Sequence, residues 1–234
     1  MTRYSVKISP RAKHVSLKII PYEGLVVVVP KGFNHSLLDE LVASRSEWIE
    51  KTLRRYENHH QQQGAIPKPE EITLPALNEQ WHVQYIQTNA SSVRVVETDD
   101  SQLLRVMGDI EDEQACFKAL RRWLMRHAKE NLLPLLMLAS QDCALSYSKA
   151  TVRGQRTRWG SCSSNGAINL NYQLLFVSPA MMNYVLVHEL CHTVHLNHSK
   201  NFYRLLGGFV PEYKKLESQL KQAWQTMPAW LQRL

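Results

Sequence analysis

The sequence has no long apolar segment. Its first half holds no apolar run longer than Leu25–Val29, and the stretch from Leu132 to Ala139 is interrupted by Pro134. A helix that crosses a bilayer needs about 20 apolar residues, so we predict no membrane partner. The opening residues, MTRYSVKISPRAKH, also lack the apolar block of a secretory signal peptide. We therefore expect a cytoplasmic protein.

Cysteine is scarce, and its spacing excludes two classes of small protein. Cys116, Cys143, Cys162 and Cys191 lie far apart and form no C-x-x-C pair. This spacing argues against a disulfide framework and against a thiolate zinc knuckle. With 44% hydrophobic and 21% charged residues, the composition is that of an ordinary folded protein with free thiols.

Acidic residues are depleted in the second half only. The chain has 28 Lys and Arg against 21 Asp and Glu, a net charge of +7. Residues 1–110 hold 13 basic and 13 acidic side chains, whereas residues 111–234 hold 15 and 8. Part of the excess follows one side of a predicted helix at Lys118, Arg122, Arg126 and Lys129. Such a surface suits a nucleotide or nucleic acid partner, or serves only solubility.

Residues 1–110 are predicted to form a β-rich region with one amphipathic helix. Alternating apolar residues from Tyr4 to Val29 indicate a strand pair or small meander, and three- and four-residue spacing predicts a helix from Ser36 to Tyr56. The polar, proline-containing stretch near 59–71 is a predicted linker. Three short strands are expected to follow, around 81–86, 92–97 and 103–107.

Residues 111–234 are predicted to form a second, more helical domain, which makes the fold class α+β. A long helix should run from Glu113 to about Leu138. Asn165-Gly166 suits a two-residue type I′ turn between strands from Thr151 to Ser164 and from Ala167 to Leu175. Pro179 is suited to the first turn of the helix after this hairpin.

That last helix contains the motif His188-Glu189-Leu190-Cys191-His192. A four-residue separation places two imidazoles on one helix face, one turn apart, as two ligands of a tetrahedral zinc ion require. Glu189 directly follows the first histidine, so its carboxylate can reach the water beside the metal instead of the metal itself. This is the position of a general base.

The third ligand is either His195 or His198. In a straight helix, His195 would lie about 10.5 Å along the axis from His188, too far from a metal held between His188 and His192. If the helix ends near Asn197, which tolerates the left-handed conformation, the chain reverses and His198 returns toward the metal. We therefore expect His198 to be the third ligand. His195 should either contact a ligand without binding the metal or be exposed to solvent. Three imidazoles and one open position indicate a catalytic site for one zinc ion.

Three segments together resemble the YgjP-like metal-dependent hydrolases, relatives of the SprT-type zinc metallopeptidases. They are Arg156 to Ser164 (RTRWGSCSS), Gly166 to Asn171, and HELCHTVHLNHSKNFY from His188 to Tyr203. The first strands, with Arg11-Ala12-Lys13 and Val26 to Gly32, are also similar to that family's amino-terminal region.

The resemblance implies a zincin-like core made of a long helix, a small sheet, the H-E-x-x-H helix and a following helix. It implies that His188, His192 and His198 hold the metal, that Glu189 is the catalytic acid and base, and that the substrate is a protein or peptide. His195 occupies the place of the turn glycine of the related metzincins. The hairpin around Trp159 to Asn171 would then be the platform for an extended peptide.

Two other functions fit the same residues. Arg153, Arg156 and Arg158, just before the hairpin, could hold the phosphates of a nucleoside triphosphate, which would make the protein a metal-dependent pyrophosphohydrolase. The basic helix stripe could instead bind nucleic acid, with an affinity that falls steeply with salt. The sequence lacks a recognisable base-reading motif and does not predict an oligomeric state.

Overall fold

The computed structural model describes residues 4–10, 12, 14–20, 24–34, 38–52, 66–98, 102–155 and 157–232. The chain divides into two compact units, Met1–Pro67 and Lys68–Gln232. The architecture is mixed α+β, as predicted, with three small sheets and several helices. Within the described ranges, no helix is both long enough and apolar enough to cross a membrane.

The first unit contains a three-stranded sheet of β1 (Tyr4–Ser9), β2 (Ser16–Ile20) and β3 (Gly24–Pro30). β3 lies in the centre, parallel to β1 and antiparallel to β2. The predicted meander is therefore wrong in its strand order. The apolar run of β3 explains its central place, because a strand with two neighbours is buried more completely than an edge strand. Its side chains pack with Leu38, Val42 and Ile49.

The predicted helix from Ser36 to Tyr56 is interrupted. α1 spans Leu38–Ala43, a turn follows at 44–45, and helical structure resumes over 46–52. At the break the Ser44 hydroxyl donates a hydrogen bond to the Leu41 carbonyl oxygen, 2.8 Å away. A serine side chain that bonds to the nearby backbone competes with helical hydrogen bonding. The spacing of apolar residues, on which the prediction rested, carries no information about this bond. The predicted residues 53–56, like the linker residues 59–65, lie outside the described part of the chain.

The second unit begins with a four-stranded sheet and a 30-residue helix. The sheet order is β4-β5-β7-β6, with β5 and β7 parallel. The elements are β4 (Glu71–Leu74), β5 (Glu79–Gln87), β6 (Arg94–Thr98), β7 (Leu103–Gly108) and α2 (Glu113–Asp142). The Asp112 carboxylate caps α2 by accepting a hydrogen bond from the Ala115 amide. The three strands predicted in this region are thus present.

The boundary between the two units lies at Pro67/Lys68, not at 110/111. The reason is that the four-stranded sheet packs against α2. Trp81 of the sheet meets Trp123 of α2 edge to face, and the Trp123 indole donates a hydrogen bond to Glu97 of β6. The predicted boundary rested on the change in charge balance and strand content near residue 110. Neither property shows that the sheet before this point packs on the helix after it.

A second three-stranded sheet follows α2, made of β8 (Lys149–Arg153), β9 (Gly160–Cys162) and β10 (Ala167–Asn171). β10 lies between β8, to which it is parallel, and β9, to which it is antiparallel. β9 and β10 form the predicted hairpin, but residues 151–164 are two strands and not one. β9 lies at the edge of this sheet.

The hairpin turn is not type I′. Gly166 has a positive φ of 72°, but Asn165 is not among the positive-φ residues, and a type I′ turn needs both. The Gly166 amide donates to the Ser163 carbonyl oxygen and the Ser163 amide to that of Ala167. These bonds define a three-residue loop that ends in a left-handed glycine.

The remaining helices are α3 (Pro179–Cys191), α4 (Lys200–Phe209), α5 (Tyr213–Ala223) and α6 (Ala229–Gln232), with a 3-10 turn at Trp224–Thr226 before α6. Pro179 lies in the first turn of α3, as predicted, and Ser178 caps that helix. α3 packs against α2, α4 and α5. All four cysteines are free, as the sequence predicted. The cytoplasmic location stays a prediction.

Candidate metal centre

Two of the predicted ligands lie at the carboxyl end of α3. His188 lies within the last turn of the helix and His192 is its C-cap residue. Their Nε2 atoms are 3.1 Å apart. The four-residue spacing therefore brings both imidazoles to one point.

The chain then reverses earlier than predicted. The helix ends at Cys191 instead of near Asn197, and the amides of Thr193, Val194 and His195 close tight turns onto Leu190 and Cys191. Asn197 does not adopt the predicted left-handed conformation. The Thr193 hydroxyl donates to the Leu190 carbonyl oxygen, which satisfies one of the last helical acceptors.

The reversal places His198 against the other two histidines. Its Nε2 atom is 3.1 Å from that of His188 and 3.2 Å from that of His192. His195 is used differently, because its carbonyl oxygen accepts a hydrogen bond from His192 Nδ1 at 2.9 Å. Among the described residues, His188, His192 and His198 are the group that could hold a metal ion.

The triad fits a tetrahedral metal ion. Ligand nitrogens bound at 2.0–2.1 Å to tetrahedral zinc lie about 3.3–3.4 Å apart, close to the observed triangle. Because Nδ1 of His192 donates to a carbonyl, its proton is on that nitrogen and the Nε2 lone pair points into the triangle. Each Nε2 atom can either donate or accept one hydrogen bond, so three of them in mutual contact cannot all form hydrogen bonds with one another. A cation resolves the contact.

Burial favours the neutral form of two of the imidazoles, His188 and His192. Burial lowers the pKa of His188 to about 3, and the neighbouring charges of His192 and His198 act in the same direction. Burial also lowers the pKa of His192, although its bond to the His195 carbonyl opposes this. Neutral imidazole is the form that binds metals.

Two aromatic residues that sequence reasoning missed support the triad. The fully buried Phe202 ring contacts all three imidazoles, and it stacks on His192 with ring centroids 4.5 Å apart. Tyr184 Oη lies 3.4 Å from His188 Nδ1. Tyr184 precedes His188 by one helical turn, so its proximity follows from α3 alone. Phe202 lies one turn beyond His198, and its place depends on the chain reversal.

Glu189 is 5% exposed, and its Oε2 atom has no hydrogen-bond partner among the residues that the structure describes. Burial raises the pKa of this carboxyl to about 8, and the Arg158 charge opposes the shift. A Cβ atom on Gly160 would lie 2.6 Å from Glu189 Oε1 and 2.9 Å from its Cδ. The glycine therefore allows the carboxylate to lie directly against the edge strand β9.

A cavity of about 420 Å³ opens beside these groups. His188, Glu189 and His198 line it, together with Trp159 and Gly160 from the hairpin. The remaining lining residues are Thr157, Tyr184, Val185, Glu217, Leu220, Lys221 and Trp224. Those of α5 and Trp224 were also missed, because only tertiary packing brings this helix to the site.

The family model for the YgjP-like metallopeptidase domain matches residues 13–223. The chain belongs to the YgjP-like metallopeptidase family. A peptidase family implies a protein or peptide substrate and, for a metallopeptidase, a metal ion that the three histidines can hold.

A solved structure of another metallopeptidase is similar to part of this chain. It is the crystal structure of the metallopeptidase zymogen of Pyrococcus abyssi abylysin, and the match covers 40% of this chain and 95% of the abylysin chain. It has 25% sequence identity and a TM-score of 0.37. Comparison with curated proteins gives no significant match.

The predicted substrate-binding residues of this YgjP-like chain fall in different places. Trp159 lines the cavity, where it stacks on Trp224 with ring centroids 4.1 Å apart. Asn171 does not line it. Its side chain is fully buried, and its Nδ2 donates to the carbonyl oxygens of Gln155 and Arg158, both at 2.8 Å. Asn171 binds backbone carbonyl groups of the segment that precedes Trp159, and a role in substrate binding stays a prediction.

Of the three predicted phosphate-binding arginines, the two that the structure describes do not lie at the cavity. Arg153 and Arg158 are exposed and do not line it, and Arg156 lies outside the described residues. On the helix stripe, Arg122 donates to the Val93 carbonyl oxygen and Arg126 pairs with Glu97 at 2.9 Å. Two of the four stripe residues are thus engaged with the sheet, and neither set supports a nucleotide or nucleic acid partner.

Proposed function

We propose that the protein is a zinc-dependent metallopeptidase that hydrolyses peptide bonds by Glu-assisted attack of water. The observation that supports this best is the convergence of three Nε2 atoms within 3.2 Å of one another, with a buried carboxylate beside them in the same cavity. His188, His192 and His198 would hold one zinc ion. When bound, zinc polarises a carbonyl group and makes water nucleophilic at neutral pH.

Glu189 is the proposed general base and acid. In its ionised form, which the positive charge of a bound zinc ion would favour, the carboxylate accepts a proton from the attacking water and delivers it to the nitrogen of the leaving amine. Oε2 is the atom proposed for this transfer, since no group in the described part of the chain forms a hydrogen bond with it. Burial excludes competing water and strengthens the interaction with the reacting proton.

The proposed substrate platform is β9. Among the described strands, β9 has a neighbour on one side only, and an extended peptide can add to such an edge through backbone hydrogen bonds. Gly160 would bring that peptide next to Glu189, because the strand and the carboxylate are in contact there.

We assign this activity to the unit Lys68–Gln232, as a zincin-like core. All three histidines, Glu189 and the cavity lie within it. Its long helix, small sheet, H-E-x-x-H helix and following helix are the elements α2, β8–β10, α3 and α4.

The test is proteolysis of an unfolded protein by the full chain and by Glu189→Gln. The chain is stripped of metal, reloaded with zinc and incubated with denatured casein. We expect one zinc per chain in both proteins and a rate about 10²–10⁴-fold lower for Glu189→Gln. A Glu189→Gln protein that binds one zinc and cleaves as fast as the wild type would falsify the proposal.

Nucleoside triphosphates belong in the same experiment as a second substrate. Arg153 and Arg158 do not line the cavity, so we expect no phosphate or pyrophosphate release with zinc, manganese or magnesium. Release that depends on Glu189 would favour phosphoanhydride hydrolysis instead.

A further inference from the structure

The cavity beside the metal centre has a wall that the proposed reaction does not use. Trp159, Tyr184, Leu220 and Trp224 line it with aromatic and aliphatic surface. Tyr184 and Leu220 are buried, and the two indoles stack on each other with an interplanar angle of 25°. We call these four residues the aromatic wall.

The cavity has the size and position of a side-chain subsite. Its volume of about 420 Å³ lies at the lower end of the range for sites that bind small molecules. His188, Glu189 and His198 line the same space. A group held against the aromatic wall therefore lies beside the bond that Glu189 would help to cleave.

Apart from Glu189, the cavity lining holds two charged residues, and their charges cancel each other. Lys221 Nζ lies 3.1 Å from Glu217 Oε1, one turn apart on α5. Their side chains are 73% and 36% exposed, so the pair lies where the cavity meets solvent. A neutral ion pair at the rim offers no net charge to attract an acidic or a basic side chain.

We propose that the aromatic wall is a specificity subsite, which binds one large apolar side chain of the peptide substrate directly beside the scissile bond. This inference rests on the proposed peptidase function and adds a substrate class to it. Aromatic and long aliphatic side chains are favoured because they replace water on an apolar surface. The Glu217–Lys221 pair makes the subsite indifferent to charge, and the loss of either partner exposes the charge of the other.

The test is cleavage of a mixed peptide library by the zinc-loaded full chain, with the cut sites read by mass spectrometry. For the wild type we expect Phe, Tyr, Trp, Leu or Met to be enriched at one position that flanks the cut. Replacement of Phe by Ala there should slow cleavage about tenfold or more. Trp224→Ala should reduce this preference to less than about threefold, because it removes half of the indole stack.

Two charge variants give effects of opposite sign. Lys221→Ala leaves the Glu217 carboxylate unpaired and should admit Lys and Arg at that same position, whereas Glu217→Ala should admit Asp and Glu. The matched control is Lys215→Ala on the same helix, whose pair with Glu212 at 3.9 Å does not line the cavity. It should leave the cut sites unchanged.

A binding measurement separates this inference from the reaction itself. In Glu189→Gln, which we expect to be inactive, a peptide with Phe at the selected position should bind about tenfold more tightly than its Ala counterpart. Addition of Trp224→Ala should remove that difference. Cleavage that persists with unchanged residue preferences in all the subsite variants would overturn the subsite and leave the peptidase intact. A wild type that cleaves no peptide would overturn both.

Discussion

His195 and His198 are only three residues apart, yet the structure gives them different tasks. His198 brings its imidazole to within 3.2 Å of two others, whereas His195 offers its backbone carbonyl to His192. The task of His195 does not depend on its side chain.

These two histidines therefore make a matched pair of variants. His198→Ala should lower the zinc content of the purified protein from one ion per chain to well below half after dialysis against a weak chelator. His195→Ala should keep one ion, because the carbonyl that orients His192 is unchanged. Atomic emission spectrometry measures both. Equal zinc content in the two variants would contradict the assignment.

Gly160 is the residue at which the edge strand β9 meets the Glu189 carboxylate. Gly160→Ala would place a Cβ atom 2.6–2.9 Å from the Glu189 side chain, so the carboxylate must move. Because small displacements of catalytic groups are costly, we expect the peptidase rate to fall about 10–100-fold while one zinc stays bound.

The control for that substitution is Gly208→Ala. Gly208 lies in α4, and a Cβ atom there would meet nothing within 4 Å. This variant should keep wild-type activity and gain stability of about 0.5–1 kcal/mol, since alanine is the better helix former. A Gly160→Ala protein as active as Gly208→Ala would show that Glu189 does not need its present position.

At the scale of elements, the segment between β8 and β9 depends on one side chain from β10. The side chain of Asn171 is fully buried, and its Nδ2 donates to the carbonyl oxygens of Gln155 and Arg158. The backbone amide of Asn171 donates to the carbonyl oxygen of Trp159. The hairpin thus fixes the loop that presents Trp159 to the cavity.

Asn171→Ala should unfold more readily because it leaves two carbonyl groups without their donor and opens a void. We expect a loss of about 2–3 kcal/mol in the free energy of unfolding, measured by urea denaturation. Asn183→Ala, on the exposed side of α3, is the control and should change stability by less than about 0.5 kcal/mol. Equal midpoints for the two variants would show that the loop does not depend on Asn171.

Local features of the sequence predicted most of the metal centre. The imidazoles of His188 and His192 follow from helical spacing, and His198 follows from a short reversal. The residues of the aromatic wall beyond Trp159 were not predicted. Leu220 and Trp224 lie about 30 residues beyond His188, and nothing in their own neighbourhood indicates which surface they face.

The positions of helices and strands in the sequence were predicted better than the pairing and packing between them. The strands and long helix of the second unit follow from alternation and helical periodicity, which are local. The central place of β3 and the packing of the four-stranded sheet on α2 are long-range pairings, and they overturned the meander and the boundary at 110/111. The left-handed Gly166 was anticipated, but the loop length depends on hydrogen bonds that Ser163 makes.

At the scale of the whole molecule, the metal should link the end of α3 to the segment that leads into α4. His188 and His192 belong to the end of α3, and His198 precedes α4. A ligand that binds only the folded state raises its stability, by about 2.7 kcal/mol at a free concentration 100 times its dissociation constant.

Removal of zinc should therefore lower the melting temperature by about 5–10 °C, given the size of the second unit. Differential scanning calorimetry with zinc and with chelator measures this shift. His198→Ala should melt at the same temperature in both conditions. A wild type that shows no shift would mean that the triad does not bind zinc in the folded protein.

The position of α5 also has a consequence for the time at which the site is completed during synthesis. A ribosome makes the chain from its amino terminus at about 5–20 residues per second. Trp224 is added 32 residues after His192, about 2 to 6 s later at that rate. In that interval the nascent polypeptide has its H-E-x-x-H helix and the wall residues Trp159 and Tyr184, but it lacks Leu220 and Trp224. We therefore expect the residue preference of the proposed subsite to be acquired only when these last residues have been added.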